Sequence, residues 1–206
     1  MAETRLELDA AFSVPDGVPV QLRFMTDQPG SLPSPDRVPV LLLHGASAQH
    51  ETFCIPKEEV VPSDLSEEPP RSLVRYLWDQ HYEPWLLDWR GSCRVTRDMN
   101  HDQLAHHQKV LDLDNAAGRD IPSAFERILA ARADFDPCRI HVVAHCLGAA
   151  AFSQALASGF LPIEKVGRVV LLTIGLFYKP PIDGMIKSQF HVLDRLARSN
   201  KTTLID

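Results

Sequence analysis

No apolar run in this 206-residue chain approaches the ~20 residues needed to cross a bilayer as a helix. The opening, Met1 to Asp9, carries charges where a secretory leader needs an apolar core. These absences predict a soluble, cytoplasmic protein with no membrane span. Cysteine is scarce: Cys54, Cys93, Cys138 and Cys146 show no C-x-x-C spacing, so reduced thiols are expected rather than a disulfide framework. Positive charge is not in excess either, since 21 Lys and Arg stand against 27 Asp and Glu for a net charge of −6. That balance excludes a basic face for nucleic acid and attraction to an anionic membrane. Repeats, low-complexity tracts and a G-x-G-x-x-G loop are all missing, so no cofactor is expected. His101, His106 and His107 near Asp98 and Asp102 match no ligand spacing. No metal is expected, and Arg94 to Arg119 reads as solvated helix or loop.

What is present suffices for one sizeable core: 45% of the residues are apolar and 23% charged, which predicts a single domain over 1–206. Strands are expected from Thr4 to about Phe12, over Val18–Met25 by alternation, over the apolar run Val38–Leu43 and over Pro84–Asp88. His50 to Arg71 is polar, acidic and proline-studded, and reads as a surface excursion. Apolar spacing predicts a helix over Ser72–Asp79. Asp120-Ile121-Pro122-Ser123 looks like a helix start, with Ala124, Phe125, Ile128 and Leu129 on the face toward the sheet. Two more strands are expected, Arg139 to Ala144 and Val166 to Thr173, with a small-residue helix from Ala149 to Ser158 between them that Gly159 closes. Gly184 to Arg198 places Ile186, Phe190, Leu193 and Ala197 along a helical stripe. Strands alternating with helices predict an α/β fold with a doubly wound, mostly parallel sheet.

The chemistry centres on Val142-Val143-Ala144-His145-Cys146-Leu147-Gly148, an apolar strand running straight into small helical residues. A strand that turns at once into a helix lifts the turn side chain above the sheet. The sequence resembles the G-x-S-x-G nucleophile elbow of the α/β-hydrolase superfamily, with Ala144 for the first Gly, Cys146 for Ser, and Gly148 retained. His44-Gly45-Ala46 resembles the loop after the third strand of that superfamily, and Asp88-Trp89-Arg90-Gly91 its D-x-R-G turn. The resemblance implies Cys146 as nucleophile and the Ala46 and Leu147 amides as oxyanion donors. It also implies bracing roles for His44, Gly45, His145, Gly148, Asp88 and Arg90, with the His145 side chain pointing away from the thiol.

In this superfamily the acid and the base follow the nucleophile in the chain. The one His after Cys146 is His191, which makes it the candidate base, with Asp183 and Asp194 as the nearest acids. It falls on the cap segment expected from about 175, where the superfamily does not keep its base. The expectation is therefore a sheet lacking its last strands. His-Gly-Ala-Ser, Leu-Leu-Asp-Trp-Arg-Gly-Ser, Asp120-Ile121-Pro122 and Val-Val-Ala-His-Cys-Leu-Gly are most similar to the hydrolase region associated with cholesterol-oxidase-like, GMC-type flavin oxidoreductases. That likeness implies an esterase or lipase-like enzyme on a lipid or sterol-ester-like substrate, with a flavin oxidoreductase domain in cis or trans. Dienelactone hydrolases and polyhydroxyalkanoate synthases share a cysteine elbow, and the latter would make the chain an acyltransferase. The other reading is a non-catalytic hydrolase-fold remnant or interaction domain that lacks the base. Val169-Val170-Leu171-Leu172, apolar and without Pro or Lys, is expected to be an exposed edge prone to self-association.

Overall fold

A computed structural model of the chain describes residues 5–26, 33, 36–54, 72–132 and 139–174. Six strands make one sheet: β1 Arg5–Ser13, β2 Pro19–Thr26, β3 Val38–Leu43, β4 Tyr82–Asp88, β5 Ile140–His145 and β6 Val166–Leu172. They lie in the order β1-β2-β4-β3-β5-β6. β1 and β2 form an antiparallel hairpin, and β2 meets β4 antiparallel, whereas β4, β3, β5 and β6 run parallel. The helices are α1 Leu73–Asp79, α2 His101–Val110, α3 Leu113–Asn115, α4 Ile121–Ala131 and α5 Leu147–Ala157. Among the described residues no helix is long and apolar enough to cross a membrane.

Parallel strands need covering on both faces, and the alternation within β3 shows how this is met. Leu41 and Leu43 face a core shared with Ile121, Phe125 and Ile128 of α4 and with Phe152 of α5. Val40 and Leu42 face the opposite core with Val74 and Trp78 of α1. Each of these fully buried Leu and Ile side chains contributes about 1.5–3 kcal/mol relative to exposure. The sheet is thus doubly wound and mostly parallel, the fold class the sequence predicts.

Three stretches depart from the reading of the sequence. β4 begins at Tyr82 rather than Pro84, because Glu83, with no exposed surface, accepts a 2.8 Å bond from Trp85 Nε1 and stands 3.7 Å from Arg132 Nη1. The β2 ladder stops at Trp85, one residue short of Pro84, which has no N–H to give it. Arg94 to Arg119 is not solvated throughout: α2, capped by the reciprocal Asn100–Gln103 box, buries His107, and a π-helix, Ala116–Asp120, buries Ala116 and Ala117. Asp120 makes no cap bond, since the π-turn leads without a break into α4 and leaves its carboxylate for Arg90. The segment expected as a cap, from about 175, lies outside the described residues.

Among the described residues β6 pairs only with β5 and stands at the edge of the sheet. Its Arg168 N–H donates to His141 Nδ1 at 2.9 Å. Val169, Val170, Leu171 and Leu172 are each 37–48% exposed, on both sides of the strand.

Candidate active site

β3 and β5 are paired so that Leu43 lies beside Ala144, and Leu43 also pairs with Leu87 of β4. The three central strands therefore end together, and Gly45, Trp89 and Cys146 emerge at one crevice. Ligands in open parallel sheets bind beyond the strands' carboxyl ends. Cys146 is the single residue between β5 and α5, with φ 53° and ψ −121°, a left-handed conformation rare outside glycine. Its N–H is held by the Leu172 carbonyl at 2.9 Å, which ties the turn to β6.

The turn is tight because Gly148 lets α5 press on the end of β3: a Cβ there would lie 2.4 Å from the His44 carbonyl oxygen. Gly45 approaches from the other side. A Cβ on Gly45 would lie 3.1 Å from Cys146 Cβ, 3.7 Å from its Sγ and 3.3 Å from His145 Nδ1. His145 Nδ1 and the thiol therefore both lie close to Gly45.

The loop after β3 is fixed by backbone bonds to the turn after β4. Ser47, itself at φ 56°, donates to the Gly91 carbonyl at 2.9 Å, and Cys93 donates to the Ala48 carbonyl at 3.1 Å. Trp89 Nε1 donates to the His44 carbonyl at 3.0 Å, and His44 Nδ1 donates to the Gly45 carbonyl at 2.6 Å. Among the described residues the Ala46 and Leu147 N–H groups donate to no partner. Both residues line one cavity of about 290 Å³, together with Trp89, Leu111, Asp112 and Leu113.

Two buried charged groups brace this crevice. Asp88 accepts from His50 Nδ1 at 2.6 Å, from the His50 N–H at 2.9 Å and from Ser92 Oγ at 2.9 Å. His44 Nε2 stands 3.5 Å from the same carboxylate, too far for a formed bond. Burial alone would lift the Asp88 carboxyl, but the imidazoles of His44 and His50 outweigh it and hold the group well below the usual carboxylate range. Arg90, with no exposed surface, donates to Asp120 through its N–H, Nε and Nη2 at 2.6–3.0 Å. Its Nη1 reaches Asp16 at 2.9 Å and the Val110 carbonyl at 2.8 Å. Burial raises the Asp120 carboxyl, and its carboxylate partners raise Arg90 against burial. Three donors on the two Asp120 oxygens make the charged pair the state the geometry supports.

The bracing expected of Asp88 and Arg90 is thus visible, but their partners were not legible. His50 belongs to a stretch read as surface, yet it is buried in a short 3-10 helix, His50–Phe53. The histidines weighed as metal ligands are dispersed. His106 Nε2 lies against the Asp16 carbonyl and His107 Nε2 against the Arg90 carbonyl, each at 2.8 Å, while His101 is exposed. Among the described residues no cluster of His, Cys, Asp or Glu could hold a metal ion. No imidazole among them bonds the Cys146 sulfur, and His191, Asp183 and Asp194 lie outside them. Cys54, Cys93 and Cys146 are free thiols, and burial, with Glu51 and Asp88 nearby, pushes the Cys54 thiol up to about 11.

A crevice at the ends of parallel strands, with a strained residue between strand and helix and a glycine loop facing it, is the architecture of a hydrolase fold. Residues 40–202 match the model of the alpha/beta hydrolase family, and the chain belongs to that family. No curated protein matches the sequence. A highly thermostable carboxyl esterase from Bacillus coagulans shares the fold at 12% identity and a TM-score of 0.55, over 81% of this chain and 43% of its own. A post-proline cleaving enzyme from Rickettsia typhi does so at 14% identity and a TM-score of 0.51, over 83% of this chain and 21% of its own. The chain thus spans less than half the length of either.

Proposed function

We propose that the chain carries the nucleophile half of an acyl-ester hydrolase with Cys146 as the attacking group. The observation that carries the reading is Cys146 at φ 53° on the strand-to-helix turn, beside a loop whose Ala46 amide, like that of Leu147, has no partner among the described residues. The thiolate sulfur bonds to the acyl carbon and the carbonyl electron pair moves to oxygen. In this reading the Ala46 and Leu147 N–H groups receive that charge, each such donor being worth roughly 3 kcal/mol. Collapse expels the alcohol, which takes up a proton, and leaves a thioester that water hydrolyses to the acid and free thiol. In this reading His191 is the candidate base, and a reducing, cytoplasmic setting suits the free thiols.

The motif likeness to the hydrolase region of cholesterol-oxidase-like flavin oxidoreductases supports a lipid or sterol ester as substrate, with a flavin oxidoreductase domain as partner in cis or trans. A non-catalytic, interaction-domain reading draws on the absence, among the described residues, of an imidazole bonded to Cys146. A transferase reading, on the polyhydroxyalkanoate synthase pattern, differs in the acceptor, and release of only free acid from a hydroxyacyl-CoA removes it. We further infer that the β6 edge mediates self-association, a reading supported by its exposed apolar side chains.

The decisive experiment exposes the protein to nitrophenyl butyrate, quenches in acid and weighs the protein. The hydrolase reading expects a butyryl adduct on Cys146 that Cys146→Ala abolishes along with nitrophenol release. Nitrophenol release that survives in Cys146→Ala, or wild-type protein with neither adduct nor release, overturns it.

A further inference from the structure

We propose that Leu111 and Leu113 form the specificity wall of an acyl-chain pocket that takes a straight, uncharged aliphatic chain of medium length and excludes a sterol ring system. The inference rests on the acyl-transfer reading of Cys146 for its orientation, because the cavity's lining includes both candidate oxyanion residues, Ala46 and Leu147. A chain whose carbonyl oxygen sits at those two amides therefore enters the cavity at its first methylenes.

Size sets the length. The cavity holds about 290 Å³, and a methylene fills much the same space as a water molecule in the liquid, roughly 30 Å³. It therefore accepts a chain on the order of eight carbons, and the fused rings of a sterol exceed it. In a sterol ester the sterol would have to be the leaving alcohol, outside this cavity.

The chemistry of the lining sets the class. Trp89, Leu111, Leu113 and Leu147 make it apolar. The one carboxylate in the lining among the described residues, Asp112, has both oxygens engaged, accepting from Asn115 N–H at 2.7 Å and from Asn115 Nδ2 at 2.8 Å. Among the described residues no Lys, Arg or His lines the cavity, so a charged chain end finds no counter-ion among them.

The segment that carries the two leucines is held at three points. Arg90 Nη1 grips the Val110 carbonyl at 2.8 Å just before it. Ala116 N–H donates to the Asp112 carbonyl at 3.2 Å, and Asp114 accepts from Gln154 Nε2 of α5, the helix that starts at Leu147.

Calorimetric binding of a 2-alkanone series tests this without turnover, since these ketones present a carbonyl and a chain but no ester. With the wild-type protein, affinity should rise about fourfold per methylene and level off near eight carbons. Leu111→Trp and Leu113→Trp, checked for native circular dichroism, should move the break to chains about two carbons shorter. The same ketones bearing a carboxylate on the far end of the chain should bind at least tenfold more weakly than the plain ketones. Affinity that climbs without a break past twelve carbons, a break unmoved in both variants, tight carboxylate binding, or no ketone binding at all overturns the proposal. A retained break with no acyl adduct on Cys146 overturns the hydrolase reading alone. An adduct without the break overturns the pocket alone.

Discussion

Among single residues, the thiols separate by environment. Cys54 is half-buried, with its thiol pushed up to about 11, so at pH 7.5 almost none of it is thiolate, the form that reacts. Cys146 stands on a strained turn beside two amides that have no partner among the described residues. Iodoacetamide at pH 7.5 should therefore label Cys146 well before Cys54, and peptide mapping that finds equal labelling of the two would contradict the assignment. Asp88 makes a different prediction. Its folded carboxyl lies below the unfolded value of about 3.9, so the unfolded chain binds the extra proton in acid. The stabilisation from Asp88 is complete above about pH 4 and is lost as pH falls toward the depressed folded value. Asp88→Asn should cost about 1–3 kcal/mol at pH 7 through the imperfectly satisfied His50 and Ser92. It should also flatten the fall in stability below pH 4. Urea midpoints for both proteins at pH 7 and pH 3 check this, and parallel losses would count against it.

Among elements, the contact that matters most is that of α5 with the end of β3. Gly148 is the condition for it, because any Cβ there meets the His44 carbonyl oxygen at 2.4 Å. Gly148→Ala must push the helix start, and Leu147 with it, away from the loop that carries Ala46. Overpacking of this kind costs about 1–3 kcal/mol, which for a chain of this size lowers Tm by roughly 2–10 °C. A thermal melt unchanged from wild type would show that the helix yields freely. Arg90 plays the matching part on the other wall. It joins the β1–β2 turn through Asp16, the π-turn through Asp120 and the pocket wall through Val110. Arg90→Met leaves Asp120 buried without its cation and should cost about 3–5 kcal/mol, read from the urea midpoint.

For the whole molecule, the open question is what meets β6. A parallel-sheet strand is normally covered on both faces, yet Val170 and Leu172 are 48% and 43% exposed. Self-association through this edge predicts a mass above 23.0 kDa in light scattering that grows with concentration. Val170→Lys with Leu172→Lys should return it to monomer, since charge on an edge opposes pairing. A wild-type monomer at high concentration would remove this reading.

The sequence by itself determined the strand-helix alternation, the doubly wound sheet, the Cys146 elbow and the glycine loop facing it. These are local matters: β-branched runs choose strands, and a small-residue turn between strand and helix has few conformations open to it. The tertiary structure alone decided the rest. His50 as the partner of Asp88, Asp16 and Asp120 as partners of Arg90, and the cavity that sets Leu111 and Leu113 beside Ala46 and Leu147 all join residues tens of positions apart, and no periodicity records such pairings. A buried charge is stabilised only by the group folding brings beside it, and that group can come from anywhere in the chain. His50 and Asp120 therefore read in the sequence as a surface loop and a helix cap until the strands they adjoin are set side by side.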